Sequence, residues 1–361
     1  MKNKIKVLCI SRQYYPSLGG MATFCTSIFS RINRDDFDVT LLVLGRNQKH
    51  LIWFFPYVLI YTIINARKYD VIMVGDLLLC MIGSVCKKIS PQTKRIVAVH
   101  GLDITYPHPL YQWYLRRFAK GSFESYVCNS DATKQLLHNI GIDNSITVAL
   151  GVDKNRYDKI VRNKQEFLRE YGFEKDKYIL LTTGRLVKRK GVSWFLANVF
   201  HTLSKDIVYF IVGKGPELTH IQNIIEKLDG KERIRLITEA SDKVVDQCYC
   251  NSDIFIMPNI HIENDMEGFG LVAIEASLAG SIVIASNVDG ISMAIQHDKN
   301  GFLVEGGNAV EFSNKIREVL NLEDYRQLGQ RFSEFTKSHY DWGIVVKQYE
   351  NIIKKVCAKK G

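Results

Sequence analysis

The sequence lacks a cysteine framework. Its eight cysteines, Cys9, Cys25, Cys80, Cys86, Cys128, Cys248, Cys250 and Cys357, include no pair at CxxC spacing, and most stand in apolar runs. Disulfide scaffolds and zinc sites need paired, regularly spaced thiols, so neither is expected; these residues read as reduced, buried, small hydrophobes. No uncharged apolar run reaches about 18 residues, so no transmembrane helix is expected. The opening "MKNKIKVLCIS" carries basic residues before its apolar run. That run is too short for a signal-peptide core and has no small-residue cleavage site, so it reads as a first buried strand. Internal repeats and low-complexity segments are absent, and 46% apolar with 24% charged residues is an ordinary globular balance. Acidic residues are in deficit: 48 Lys and Arg face 38 Asp and Glu, a net charge of +10. That excess favours anionic partners such as nucleotides, phosphorylated lipids, acidic membranes or nucleic acid, and a merely basic surface has the same signature.

At 361 residues the chain is too long for one ordinary core and implies two domains of about 150–200 residues. Short apolar, β-branched runs alternate with helical patterns. The first half has "IKVLCIS", "FDVTLLVLG", "YDVIMVGD", "RIVAVHG", "SYVCNS" and "SITVALG". The second has "YILLTTG", "IVYFIVG", "IRLIT", "DIFIMPN", "SIVIAS" and "GFLVE". Continuous apolar strands are buried on both faces, and strands alternating with helices make parallel sheets. The fold class is therefore α/β, with two doubly wound parallel-sheet domains. The break is expected in residues 151–178, which are charged and poor in β-branched residues. The tail "YDWGIVVKQYENIIKKV" has an apolar stripe at helical spacing from Trp342 to Val356, and no strand follows it. It would pack on the second domain or return to the first.

Ligands of open α/β sheets gather where strands end. Four such turns stand out. "SRQYYPSLGGMATFCTSIF" leads through Gly19 and Gly20 into a helix, where backbone and helix dipole can meet a phosphate. "VAVHGLD" places His100 and Asp103 after a strand; a histidine there can bond a hydroxyl or move a proton. "LLTTGRLVKRKGVSWFL" follows a strand with Arg185, Lys188, Arg189 and Lys190, cations suited to a diphosphate. A tight turn, a satisfied structural histidine and a solvated basic loop account for these three equally well.

The fourth turn, "ENDMEGFGLVAIEASLAG", is harder to read blandly. Glu267 precedes a Gly268-Phe269-Gly270 turn, and Glu275 lies about two turns into the helix that follows. Helical side chains lean toward the N-terminus, so Glu275 tilts back to the mouth of that turn. The amides there can take up phosphate or sugar oxygens, while the carboxylates accept hydrogen bonds from vicinal hydroxyls. Ala273, Ile274, Ala276 and Leu278 around Glu275 indicate a buried helix, and a buried glutamate needs a partner.

These residues resemble the large family four of retaining glycosyltransferases, the glycosyl transferases group 1, whose GT-B fold sets two Rossmann-like domains facing a cleft. "EGFGLVAIEASLAG" resembles its Glu–seven residues–Glu signature, and "GRLVKRKG" its donor-diphosphate loop. The Gly19-Gly20 turn, His100, "VCNSDATKQLL", "ALGVD", "NGFLV" and the Trp342 tail fall at matching places, so the resemblance spans nearly the whole chain. It implies an N-terminal acceptor domain of residues 1–155 with 341–361, and a nucleotide-sugar donor domain of residues 176–340. It also implies that Arg185 and Lys190 bind the donor pyrophosphate and that Glu275 holds the ribose. Glu267 would contact the donor sugar beside the amides of Gly268, Phe269, Gly270 and Leu271. Gly19 and Gly20 would admit the β-phosphate, and His100 would touch the transferred sugar. His100, Glu267, Arg185 and Lys190 are the expected catalytic set. Ala149-Leu150 replaces the usual Pro-Asn before Gly-Val-Asp, which bears on interdomain loop geometry.

The implied activity is retaining transfer of a hexose-type sugar from a UDP- or GDP-linked donor to a glycan or lipid-linked acceptor, in the assembly of cell-surface polysaccharide or lipopolysaccharide. The sequence offers no convincing enzyme nucleophile. Retention would pass through a short-lived ion pair, with the departing phosphate helping to deprotonate the acceptor. No cofactor is expected, and no metal: His261, Glu263 and Asp265 form an acidic loop, but this fold meets the diphosphate with cations and helix dipoles. Nucleic acid is not an expected partner. "HLIWFFPYVLIYTIINARKYD" and "YPHPLYQWYLRRFAKG" combine aromatics with basic residues, as a core helix or a membrane interface would. The expected location is cytoplasmic, with peripheral attachment to the inner face of the membrane. A nucleotide-sugar epimerase on the same fold, and a basic membrane- or nucleic-acid-binding protein, are the alternatives.

Overall fold

The computed structural model describes residues 4–17, 19–45, 48–173 and 176–358. The chain divides into two compact units, Met1–Gly151 with Trp342–Gly361, and Val152–Asp341.

The first unit holds one parallel sheet of β1 (Ile5–Ser11), β2 (Phe37–Val43), β3 (Val71–Val74), β4 (Lys94–Val99), β5 (Ser125–Cys128) and β6 (Ser145–Thr147), in the order β2-β1-β3-β4-β5-β6. The second holds a parallel sheet of β7 (Tyr178–Thr183), β8 (Ile207–Val212), β9 (Ile234–Ile237), β10 (Ile254–Met257), β11 (Ile282–Ser286) and β12 (Phe302–Val304), in the order β12-β11-β10-β7-β8-β9. Every apolar run read as a strand is one. Each residue of β3, β5, β8, β10 and β11 is buried, which is why these runs are continuously apolar rather than alternating. Both sheets are GT-B-like Rossmann sheets covered by helices on both faces. Their strand order reverses between β1 and β3, and between β7 and β10. A crevice opens at such a reversal, because the loops beyond the two neighbouring strands run to opposite faces.

The break, expected in residues 151–178, falls at the start of that stretch, between Gly151 and Val152. Two contacts place it there. The Val152 amide donates to the Tyr340 carbonyl at 2.7 Å, tying the start of the second unit to its end. The charged stretch after it folds onto the second unit: the helix Lys164–Glu170 buries Phe167 and Leu168, with Phe167 stacked 5.1 Å from Phe210. The tail helix Trp342–Ala358 belongs to the first unit, where Tyr349 packs 5.7 Å from Phe24 and Lys354 pairs with Asp36 at 2.6 Å. Its buried residues are those of the apolar stripe, save half-buried Ile352. Seven of the eight cysteines are buried and Cys357 is half-buried, all of them free thiols. The "NSDAT" segment is a helix cap, with Ser130 Oγ accepting from the Thr133 amide at 3.2 Å.

One packing constraint in the first core is sharp. Gly83 lies in the helix Cys80–Ile89 against the Phe123 ring, and a Cβ there would stand 2.3 Å from that ring. Alanine is the better helix former by about 1 kcal/mol. Overpacking a buried ring costs about 1–3 kcal/mol. Gly83→Ala is therefore expected to lower stability toward urea, whereas a gain would show that Phe123 moves freely.

Candidate functional site

In the second unit the reversal between β7 and β10 brings two loops together. β7 ends at Thr183 and continues through Gly184 and Arg185 to a single tight turn, Lys188–Lys190. β10 ends at Met257 and continues through Pro258 and Asn259. The loops touch at Gly191, whose φ is 66° and where a Cβ would stand 1.8 Å from the Pro258 carbonyl oxygen. Only glycine satisfies both the left-handed backbone and that approach. The Ile260 amide then donates to the Arg189 carbonyl at 2.9 Å, locking one loop to the other.

This lock delivers Lys190 and Arg189 to Glu267. Lys190 Nζ lies 2.6 Å and Arg189 Nη1 2.7 Å from the same carboxylate oxygen, Oε2, and Asn259 Nδ2 donates to it at 3.2 Å. Oε1 takes none of these bonds. Burial alone would raise the Glu267 pKa, but Lys190 and Arg189 outweigh it and hold the carboxyl below its usual range. The side chain is thus an ionised acceptor, fixed at one oxygen and clear at the other. Arg189 also reaches Asp265 at 2.9 Å, so the acidic loop is spent on that guanidinium. Among the described residues no three His, Cys, Asp or Glu side chains are grouped as a metal would require. Arg185 is exposed and, among the described residues, makes no ion pair.

The Gly-Phe-Gly turn has a definite geometry. Phe269 is buried beside Tyr340, 6.4 Å between rings, and anchors the turn. Gly270 sits at φ 94° and opens the helix Leu271–Leu278. The amides of the first helical turn have no acceptor within the helix and can meet an anion. Gly268 and Leu271 are half-buried on either side.

Glu275 is held separately. Arg156 Nη1 lies 2.5 Å from its Oε1, and the Tyr249 hydroxyl donates to Oε2 at 3.3 Å. Asp246 clamps the same guanidinium at 2.8 Å. Burial raises the Glu275 pKa, and Arg156 offsets only part of that rise. Sequence reading named no partner in the chain for this buried glutamate. Arg156 lay in the stretch read as the break between domains, and Tyr249 was not singled out. Asn259, Asp246 and Asp289, whose Oδ2 accepts from the Glu267 amide at 2.9 Å, also escaped notice.

In the first unit His100 follows β4 and Gly20 opens the helix Gly20–Arg31. Phe24 of that helix meets the His100 ring edge-on at 5.2 Å, which brings the glycine turn and the histidine to one edge of the sheet. Gly19 has φ 115°, and a Cβ at either glycine would meet open space, so their small size leaves the backbone approachable. His100 Nε2 lies 3.2 Å from the Gly75 carbonyl. Burial lowers its pKa and keeps the ring neutral. Its backbone amide donates to Asp103 Oδ2 at 3.1 Å. Behind it Arg12 Nε bonds buried Asp76 at 3.2 Å. Burial, and then Asp76, push the Asp103 carboxyl up to about 8.

The two carboxylates titrate with opposite sign. Glu267 has a depressed folded pKa, so its contribution is present above the unfolded value and is lost as pH falls through the folded one. Glu267→Gln leaves buried Lys190 without its anion and Arg189 with Asp265 alone. It should destabilise the second unit at pH 7 by about 3 kcal/mol, with the gap narrowing below about pH 4. Asp103 has a raised folded pKa, so its contribution is present at low pH and is lost as pH rises toward 8. Stability of the first unit should therefore decline from about pH 5 to 8 in the wild type but not in Asp103→Asn. Calorimetry from about pH 3 to 8 checks both; coincident profiles for variant and wild type would refute the assignments.

Comparison with known proteins agrees with this architecture. Residues 163–339 match the family described as Glycosyl transferases group 1. The N-acetyl-alpha-D-glucosaminyl L-malate synthase of Bacillus anthracis is 24% identical, over 98% of this chain and 97% of the relative. The UDP-Gal:alpha-D-GlcNAc-diphosphoundecaprenol alpha-1,3-galactosyltransferase of Escherichia coli is 20% identical, over 88% of each. The crystal structure of HepE of Anabaena in complex with UDP and glucose superposes with a TM-score of 0.78 at 18% identity, covering 97% of this chain and 100% of that one. The match fills the second unit almost completely, so that unit is a glycosyl transferases group 1 domain and the chain is a glycosyltransferase.

Proposed function

We propose that the protein is a retaining hexosyltransferase. It takes a sugar from a UDP- or GDP-linked donor and passes it to a glycan or lipid-linked acceptor, in cell-surface polysaccharide assembly. The observation that carries this reading is Glu267. It is an ionised carboxylate gripped through one oxygen by Arg189 and Lys190, beside a glycine turn and a helix start. A carboxylate held in that way is a rigid hydrogen-bond acceptor for a sugar hydroxyl and a poor nucleophile. Arg185, free of ion pairs among the described residues, and Lys190 supply the cations for a diphosphate, and the amides of Gly270 and Leu271 add donors. Glu275, oriented by Arg156 and Tyr249, accepts from the ribose hydroxyls. This set meets the diphosphate charge without calling on a metal or a cofactor.

The chemistry follows from these roles. The bond between the anomeric carbon and the diphosphate oxygen breaks, and the diphosphate leaves with the electron pair. Cations and amides stabilise the charge that develops, which lowers the barrier more than it favours the bound donor. The acceptor oxygen attacks from the face the diphosphate has vacated, and its proton passes to a phosphate oxygen. Neutral His100 donates to or accepts from a sugar hydroxyl, and Gly19 and Gly20 leave the first unit's backbone open to the donor. The galactosyltransferase of Escherichia coli, named for a diphosphoundecaprenol acceptor, supports a lipid-linked acceptor, and HepE, crystallised with UDP and glucose, supports the donor class.

A thermal-shift screen tests the donor. UDP or GDP at a hundredfold excess over its dissociation constant should add about 2.7 kcal/mol of stability. Arg185→Ala touches no ion pair, so it should fold normally yet bind the nucleotide about ten- to a hundredfold more weakly. With a sugar donor, nucleoside diphosphate release should require an acceptor, and the product should keep the donor's anomeric configuration by NMR. Epimerised donor without acceptor, or indifference to every nucleoside diphosphate, would overturn the reading.

A further inference from the structure

The helix Leu51–Asn65 of the first unit carries no charged residue, and Val58 and Thr62 are its buried positions. Phe54, Phe55 and Tyr61 pack partly against the core. The outward face is equally apolar: Ile52, Trp53, Tyr57, Ile60, Ile63 and Ile64 recur at helical spacing and are each more than half exposed, Trp53 at 77%. The helix Pro109–Phe118, like Leu51–Asn65, rests on the helix Cys80–Ile89. It and the residues leading to it expose Leu102, Tyr106, Leu110 and Trp113. Sixteen large apolar side chains are strongly exposed among the described residues, and ten of them fall on these two segments. Scattered surface hydrophobics need no account; six along one face of a single helix do.

Charge around the patch is mostly positive. No Asp or Glu occurs in residues 39–69 or in residues 104–123. Arg116, Arg117 and Lys120 are exposed at the end of the second helix, and Lys87 and Lys88 at the end of the helix between them. Where the apolar helix ends, Arg67 and Lys68 join Lys4, Lys6 and Arg34 around an open groove, which Asp38 and Asp70 also line. The 15-residue helix would span roughly 22 Å, short of the roughly 30 Å of a bilayer core. Among the described residues no helix is long and apolar enough to cross. An apolar helix face rimmed by cations fits the plane of a membrane interface, with tryptophan and tyrosine at headgroup depth. A second copy of this face is a poor match, because like charges would meet across it.

We propose that the first unit docks on an anionic lipid bilayer by laying the outward face of Leu51–Asn65 into the interface, with Arg116, Arg117 and Lys120 on the headgroups. The acyl boundary takes up Ile52, Trp53, Ile60 and Ile64. The proposal does not rest on the donor chemistry, and none of these side chains belongs to the donor site.

Flotation of the full chain tests it. The protein should float at low salt with vesicles containing phosphatidylglycerol, and much less with phosphatidylcholine alone. Its tryptophan emission should shift to the blue on binding. The triple variant Trp53→Ser, Ile60→Ser, Ile64→Ser should lose at least about tenfold in vesicle affinity. It should keep the far-ultraviolet spectrum and transfer to a water-soluble acceptor. Arg116→Glu with Arg117→Glu should weaken binding and flatten its salt dependence. Failure to float with anionic vesicles overturns the proposal, as does a triple variant that floats like the wild type. So does a dimer in size exclusion that the triple variant abolishes while vesicle binding is absent.

Discussion

The proposed donor site depends on one close approach, that of Gly191 to the Pro258 carbonyl. Because no side chain fits between them, the loops after β7 and β10 are fixed in mutual register at the point where the strand order reverses. From that register Lys190 and Arg189 reach the same oxygen of Glu267. Two cations on one carboxylate oxygen constrain its position and its charge together: the geometry leaves Oε1 clear, and the electrostatics keep the group ionised despite burial. Neither effect would survive a shift of the β7 loop by an ångström or two. A hydrogen bond weakens steeply with such a displacement, while burial would still penalise the charge.

The first unit solves a related problem with a different outcome. Asp76 and Asp103 are two buried carboxyl groups sharing one neighbourhood, with the Arg12 guanidinium on Asp76. Both cannot ionise cheaply in a low-dielectric setting with one full cation between them. Asp103 yields, and its Oδ2 serves the amides of His100 and Leu77 instead. A carboxyl whose bonds go to backbone amides orients a turn; Glu267, whose bonds go to cations, holds a charge. The same residue class at comparable strand ends therefore does two jobs, and the number of cations nearby decides which.

The fold was legible in the sequence because its signal is redundant. Twelve apolar runs, each bounded by glycine, proline or polar residues, can pack in parallel sheets with little ambiguity, and the structure has a strand at each. The site was legible where chemistry and local spacing coincide. Glu267, the glycine turn and the basic loop all sit directly after strands, so strand assignment alone placed them at the reversal. It was not legible where partners arrive from far along the chain. Arg156 stands 119 residues from Glu275 in sequence, in a charged stretch with no strand pattern. Where the boundary falls within residues 151–178 was not legible for the same reason: the bond from Val152 to Tyr340 joins residues whose pairing no local pattern announces. Charged composition marked that stretch as the break between domains, although Phe167 and Leu168 give part of it a buried face.

The helix Leu51–Asn65 marks a different limit, one of symmetry rather than of distance. Periodicity assigns a face only where apolar and polar positions alternate around the helix axis. In "LIWFFPYVLIYTIIN" they do not, so the sequence is equally consistent with a helix sunk in a core and one with a solvent-facing apolar side. The structure breaks the tie, since β1 and β3 and the helix Cys80–Ile89 offer the helix one side to pack against and leave the other open. An aqueous surface would select polar residues at Ile52, Trp53, Ile60 and Ile64, because exposed apolar area of that extent promotes association. Apolar residues at all four positions, combined with an unbroken absence of acidic residues from 39 to 69, are what a surface facing anionic headgroups would select instead.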